Sequence, residues 1–292
     1  MAYTNDVAAL NPQNWADMIQ ENIYKELVAK EVGDLKFKKN LSSGTQVHFP
    51  LFGSLSTTAY VKGADVTVQA LDSTDEYLTV DQQWESSFYL DMVDQKQNLY
   101  STMQEGVREI TDAIAQKVET VFFAQVLNAY DTFDAGDSGM GGSSGSAIAL
   151  TTTNVATMFA RAKGKLRAKL GGKKLADVVA VVDSDVAAII EEKATTSGFN
   201  IADAAFRNGY AGDYMGVKIY VSENIDTTTN SRKHCYFGVP KQISLAMQIE
   251  PTMQIDNDPL KFGKVVKCLE VFGVKTFTRR ADRFLDLQVT VS

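Results

Sequence analysis

The sequence predicts an α+β protein of long elements, in which a mixed α/β unit interrupts a frame made of extended strands and one long helix. Three observations predict it. Strand periodicity runs for about 15 residues from Leu78, and helical periodicity then runs for about 35 residues from Leu99. After Asp131 short strands and helices alternate, and long strands return beyond Pro251.

Taken in order, Asn11 ahead of Pro12 supplies a cap and a first helical residue. Trp15, Met18, Ile19, Ile23 and Leu27 then recur at three- and four-residue spacing. This predicts an amphipathic helix ended by Gly33. Leu35 to Asn40, with Lys36, Lys38 and Lys39, reads as a basic extended connector that has no partner strand nearby in sequence. Thr45 to Phe52 alternates, with Val47, Phe49 and Leu51 on one face, and Pro50 removes a ladder donor and so confines the strand to an edge. From Leu78, the even positions Leu78, Val80, Trp84, Phe88, Leu90 and Met92 share one face, and Thr79, Asp81, Gln83, Glu85 and Ser87 occupy the other. At about 3.3 Å per residue this strand spans about 50 Å. Residues 53–75 between the two strands are rich in Ser, Thr, Gly and Asp, so the hairpin is expected to project with its tip around Tyr60 to Gly63.

Leu99, Met103, Val107, Ile110, Ile114, Val118, Val121 or Phe122, and Val126 keep a helical period interrupted only by Gly106. The steps mix three and four without sustained heptads, which predicts a helix about 50 Å long lying across a sheet. Residues 131–146 dissolve into glycine, serine and aspartate, and are read as a flexible connector. A basic helix comes next, from Thr153 or Asn154 to Gly171-Gly172, with Val155, Met158, Phe159, Ala162 and Leu166 inward. A buried strand is expected at Val178 to Val182, a helix from Ser184, and an alternating strand with Val217, Ile219 and Val221. The closing strands are Lys264 to Thr278 and Phe284 to Val291, the latter with Leu285, Leu287, Val289 and Val291 on one face against Asp286, Gln288 and Thr290. The α/β unit is thus read as an insertion between two parts of the frame.

Composition narrows the class. The chain has 292 residues, of which 45% are hydrophobic and 22% charged, enough for one large core or two modest ones. A net charge of -7 argues against a protein whose main task is wrapping DNA, because neutralising phosphates needs a cationic surface. Cys235 and Cys268 lie outside any CxxC pair and are read as buried reduced thiols. The amino terminus lacks the basic start and apolar run of a signal peptide, and no segment is apolar enough to span a membrane, so synthesis in a reducing cytoplasm is expected.

Candidate chemistry is sparse. With only His48 and His234, a histidine-dependent triad or a multi-histidine metal site has too few members, and each histidine is read as a surface or packing residue. The glycines from 136 to 145 lack the preceding strand, the following helix and the Gly-Lys-Ser/Thr ending of a phosphate loop. Asp183 and Asp185 are two oxygen donors for a cation or, as favoured here, the opening of a helix that needs its free amides satisfied. The densest charge feature holds seven cations between Arg161 and Lys174. Arg161, Lys165 and Lys169 share one helical face, which meets nucleic acid, meets an acidic surface of another subunit, or is simply solvated. No catalytic, cofactor-binding or metal-binding residues are assigned.

An amphipathic arm, a long hairpin, a long helix, an inserted α/β unit and closing strands, in this order, resemble the major capsid protein of tailed double-stranded-DNA bacteriophages, the Hong Kong 97 fold family. The resemblance covers essentially the whole chain. Gly44 to Pro50 is similar to the family's opening of the extended loop. Tyr77 to Asp81 through Phe88 to Asp91 is similar to its exit into the spine helix. Gly216 to Asn224 resembles a Gly-hydrophobic-x-hydrophobic-x-x-Ser stretch in the inserted domain, and Phe272 to Thr276 resembles the terminal sheet.

The resemblance implies an amino-terminal arm at 1–43, an extended loop at 44–86, a peripheral domain with spine helix at 87–148, an axial domain at 149–250, and closing peripheral strands at 251–292. It implies a non-enzymatic structural subunit without cofactors, self-assembled as hexamers and pentamers into an icosahedral virion capsid around packaged DNA, built in the host cytoplasm. Implied partners are further copies of the chain, a separate scaffolding protein unless a prosegment has been removed, a portal, packaged double-stranded DNA in non-specific contact, and a decoration protein as a further candidate. Trp15, Ile19, Ile23, Lys36, Lys38, Tyr60, Lys62, Arg161 and Lys165 are the candidate interface residues. Deleting residues 1–33 is expected to leave a folded but assembly-defective subunit. Some family members join subunits through a lysine and an asparagine, with Lys62 placed as a donor here, but no acid catalyst can be assigned and cross-linking is not expected. The alternatives are an encapsulin-type compartment shell, which shares the fold, a cytosolic α/β enzyme, and a nucleic-acid-binding regulator using the 161–174 helix.

Overall fold

The computed structural model describes residues 28–35, 44–63, 65–66, 68–97, 102–172, 177–196, 210–258 and 260–291. Alternation at Gln46–Phe52 produces β1, whose Val47, Phe49 and Leu51 are half-buried while their neighbours are exposed. It pairs antiparallel with β2 (Ser73–Thr79), from Gln46 opposite Thr79 to Phe52 opposite Ser73. Pro50 is harmless there because this sheet has two strands and β1 is an edge.

The long strand expected from Leu78 is two strands. β3 (Gln82–Asp91) starts after a break at Val80 and Asp81 and joins a different, three-stranded sheet. Alternation continues through the break, so the periodicity hides it. The hairpin base packs on this second sheet, with Leu78, Val80, Ala246, Val271 and Phe277 in one small core beside Val47 and Phe49. A Cβ at Gly273 would sit 2.2 Å from the carbonyl oxygen of Thr79, so only glycine admits so close a crossing.

The sheet's long members are β10 (Ile243–Asn257) and β11 (Gly263–Thr276), antiparallel with register shifts on either side of Ile249, and β11 lies between β10 and β3. After α2 (Met92–Gln97), the helix α3 (Thr102–Ala124) lies across β3 and β11 as expected. Ile110 and Ile114 are buried with Val266 and Cys268, beside Phe88, Met103 and Val107. Gly106 allows the approach, since a Cβ there would stand 2.5 Å from the Phe88 ring. At 1.5 Å per residue α3 is about 34 Å long. It ends where Gln125–Asn128 tighten into a 3-10 turn and Ala129 turns extended, and its expected start at Leu99 lies outside the described residues.

The remaining strands are β4 (Asp131–Phe133), β5 (Ile148–Leu150), β6 (Val178–Val182), β7 (Tyr210–Tyr214), β8 (Val217–Val221), β9 (Lys233–Gly238) and β12 (Phe284–Val291). They form one seven-stranded sheet of order β4-β12-β9-β6-β8-β7, with β5 also on β12. β6 is buried at all five positions. α4 (Val155–Lys169) buries the five residues expected to face inward, and Phe159 meets Tyr214 and Phe237 edge-on at 5.4 and 5.8 Å. α5 (Ser184–Thr196) adds Val186, Ala187 and Ile190 to the same core.

Sheet membership runs across the segments drawn from the sequence at three strands. β4, from the expected first peripheral segment, and β12, from the closing one, both belong to the seven-stranded sheet, while β10 runs through the 250/251 boundary. The two closing strands therefore part company after the short helix α6 (Thr278–Ala281): β11 stays with β10 and β3, and β12 inserts between β9 and the β4/β5 edge. Sequence adjacency concealed this, because a tight helical turn redirects the chain as effectively as a long linker. The largest core is continuous, running from Phe122 and Phe123 of α3 through Val178–Val182 to Phe272 and Leu287.

Candidate assembly surfaces

Residues 53–72 join β1 to β2. Among those described, Leu55, Tyr60, Val61, Val66, Val68 and Leu71 are all exposed, with Tyr60 at 77% and Val68 at 89% of their full areas. A soluble domain rarely leaves so many large apolar side chains together without a partner. Lys62 is exposed at the tip beside them. Gln69 crosses the loop to the Ser56 backbone, accepting from its N–H at 3.0 Å and donating to its carbonyl at 2.7 Å.

The root of this hairpin is polar and firmly tied. Lys275 donates to the Tyr77 carbonyl at 2.6 Å, Thr278 donates twice to Glu76 at 2.9 and 3.0 Å, and Arg279 donates to the Phe52 carbonyl. An apolar tip on a braced base is built to reach outward without unfolding its own sheet.

A second tie holds the chain next to the amino-terminal segment. Val28, Ala29 and Val32 are buried in the main core, and α1 is the short helix Ala29–Val32. Glu119 of α3, itself 1% exposed, accepts from Val28 N at 2.5 Å and Ala29 N at 2.9 Å, and from Asn224 Nδ2 at 2.5 Å. Asp34 bridges Ser244 in parallel fashion and pairs with Arg280 at 2.7 Å. The expectation that deleting 1–33 spares folding is therefore corrected, because residues 28–34 complete the subunit's own core. Trp15, Ile19, Ile23, Lys36 and Lys38 lie outside the described residues.

The basic face of α4 is largely spoken for within the chain. Lys165 reaches Asp137 at 2.9 Å, Asp131 at 3.1 Å and the Thr132 carbonyl. Burial opposes its charge, but the hydrogen bonds and fields of Asp137 and Asp131 win and raise its pKa. Lys169 stands 4.1 Å from the Tyr130 ring centre and 3.7 Å from Asp131, and Lys163 donates to the Met215 carbonyl. Of the expected face, Arg161 is exposed, whereas Lys165 braces its own subunit.

Several buried polar residues escaped the sequence reading. The glycine-rich stretch, read as a flexible connector, is a hydrogen-bonded loop: Asp134, 7% exposed, accepts from Gly136 N at 2.8 Å and Gly145 N at 2.6 Å, closing the excursion between β4 and β5. Asp183 and Asp185 do hold a cation, and it is the ammonium of Lys233, whose pKa they raise against the opposing effect of burial. His234, read as a surface or packing residue, is buried against Asp286, 52 positions away, with Nδ1 2.8 Å from Oδ2. His48 is exposed beside Asp75. Burial pushes the Cys235 thiol up to about 12, so it stays protonated and unreactive. No group of three or more His, Cys, Asp or Glu suited to a metal occurs among the described residues.

Comparison with known proteins matches this architecture to capsids. No curated protein sequence matches. Among solved structures, Mycobacterium phage Che8 is similar with a TM-score of 0.76 at 20% identity, over 97% of this chain and 97% of that one. The capsid of cyanophage P-SCSP1u has a TM-score of 0.75 at 14% identity, over 99% and 96%. The capsid of Myoviridae phage XM1 has a TM-score of 0.71 at 12% identity, over 98% and 99%. Similarity at such low identity establishes a shared fold, the one expected from the order of elements. The family model described as phage capsid protein matches residues 86–282 and favours this reading over the compartment-shell alternative. With that match spanning well over half its length, the chain belongs to the phage capsid protein family and is a structural protein of the phage shell.

Proposed function

We propose that this subunit closes, as hexamers and pentamers, into an icosahedral shell around packaged double-stranded DNA, and that the 53–72 hairpin makes the contact that locks neighbours together. The observation that carries this reading is the row of exposed apolar side chains on a braced hairpin. Each such side chain contributes about 1.5–3 kcal/mol when a neighbour buries it, and a closed shell sums many of these contacts. In this reading the residues before Val28 form a second contact between copies, and Tyr60 and Lys62 sit at the hairpin interface. The subunit works without a catalytic step. A separate scaffolding protein and a portal guide closure in the host cytoplasm, a decoration protein is a further candidate partner, and DNA is touched non-specifically by local cations such as Arg161, since the net charge is -7.

The test is to replace Leu55, Val66 and Val68 together by serine. Negative-stain microscopy is expected to show closed particles from the parent chain, with candidate scaffold supplied where needed, and only small oligomers from the variant, at an unchanged circular dichroism spectrum. Normal particles from the variant would remove the hairpin from the assembly contact.

A further inference from the structure

His234 lies on β9 with both ring nitrogens facing oxygen. Nδ1 stands 2.8 and 3.0 Å from the two carboxylate oxygens of Asp286 on β12, and Nε2 stands 3.1 Å from the Thr229 carbonyl. A neutral imidazole carries one N–H, so it can satisfy only one of these acceptors; the imidazolium satisfies both. The ring is 1% exposed, and water cannot readily take the place of the missing proton.

The second acceptor belongs to a turn under tension. Asn230 and Ser231 both adopt left-handed backbone, at φ 55 and 54, without being glycine. The turn is also held by the backbone N–H of His234, which donates to the Asp226 carbonyl at 2.9 Å, by that of Ser231, which donates to the Thr228 carbonyl at 3.2 Å, by the Asp226 carboxylate and by Arg232. Burial would raise the Asp226 pKa, but bonds from Thr229 and Thr228 outweigh it and bring it to about 2, so that hold persists at any ordinary pH. Arg232 donates to Gln288 Oε1 at 2.6 Å and to the Gly145 carbonyl at 2.9 Å, and Gln288 in turn donates to Asp286 at 2.8 Å. Lys233 is already held by Asp183 and Asp185.

We propose that His234 is a proton-operated latch: doubly protonated, it pins the 226–232 turn to β12, and on losing a proton it releases the turn. Burial lowers the affinity of the ring for its proton, but Asp286 outweighs that, and the net shift is upward from 6.5. The latch is then fully closed below about pH 6.5 and is lost as pH rises through the higher value of the closed state.

Hydrogen–deuterium exchange of the full chain, read by mass spectrometry on peptides covering 226–233 from pH 6 to 9.5, tests this. After correction for base catalysis, exchange is expected to rise by up to about tenfold per pH unit between the ring's pKa values in the closed and open turn, then level off. Asp286→Asn removes the charge partner and is expected to move the rise to lower pH. His234→Gln, which retains bulk but has no proton to lose, is expected to exchange at a rate independent of pH. Exchange of the parent turn that stays flat over this range, or a pH-dependent rise that survives in His234→Gln, overturns the latch.

Discussion

At the scale of single residues, Glu119 has the most to hold. Its two oxygens act only as acceptors, toward the first two amides of the returning amino-terminal chain and the amide group of Asn224, in a place with almost no access to water. Removing the carboxyl strands three donors, each unsatisfied buried group costing about 1–3 kcal/mol, with the contributions overlapping. Glu119→Ala is therefore expected to cost about 3 kcal/mol or more in denaturant unfolding of the subunit, and Glu119→Gln less, because one oxygen remains. A loss under about 0.5 kcal/mol would show that the amides find other partners. The sequence does carry a trace of this role: Glu119 stands three residues before Phe122 and seven before Val126, on the buried flank of α3. Asp286 left a misleading trace. Its parity on β12 assigns it to the polar side, yet both sides of that strand are covered, so alternation says nothing about solvent. Pairs such as His234 with Asp286 join residues far apart in sequence, and spacing along the chain cannot bring them together.

At the scale of elements, the arm divides at Val28. Val28 to Asp34 belong to the core, whereas residues 1–27 lie outside the described residues and carry the contact between subunits only as proposed above. Deleting residues 1–27 is expected to leave a cooperatively folding subunit that fails to close shells. Deleting 1–34 in addition removes buried Val28 and Val32, at about 1.5–3 kcal/mol each, the ligands of Glu119, and the Asp34–Arg280 pair. The longer deletion is expected to lower the thermal midpoint by many degrees, and equal midpoints for the two truncations would contradict the division. Elements whose apolar pattern matches their surroundings were readable: α4 buries the face its periodicity marks, β6 is buried throughout as its unbroken apolar run implies, and α3 packs on a sheet as its mixed three-and-four spacing implies. The switch at Val80 and Asp81 was not readable. Both strands keep the same period across it, and the feature that permits the crossing, Gly273, is nearly 200 positions away.

At the scale of the molecule, order of elements was more legible than the division into units. An arm, hairpin, helix, α/β stretch and closing strands fix the chain's path, while sheet membership depends on pairing between distant segments. β12 shows what that costs. It lies inside the seven-stranded sheet, antiparallel to β9 along Phe284–Val289 and parallel to β4 and β5 on its other side. Its first six residues are all buried, and Tyr236 of β9 stacks on Phe284 with ring centres 5.0 Å apart. An edge strand could be lost with partial damage, but losing an internal strand exposes the unpaired backbone of both neighbours and opens the core around Leu285, Leu287 and Val289. Truncation after Arg283 is therefore expected to abolish the soluble folded subunit, whereas removing Thr290 to Ser292 alone touches only the β5 end and is expected to be tolerated. Chains ended at Arg283 that remain soluble, with a cooperative thermal transition, would mean that the sheet closes without β12 and that its buried strand is an accessory to the capsid fold rather than part of its frame.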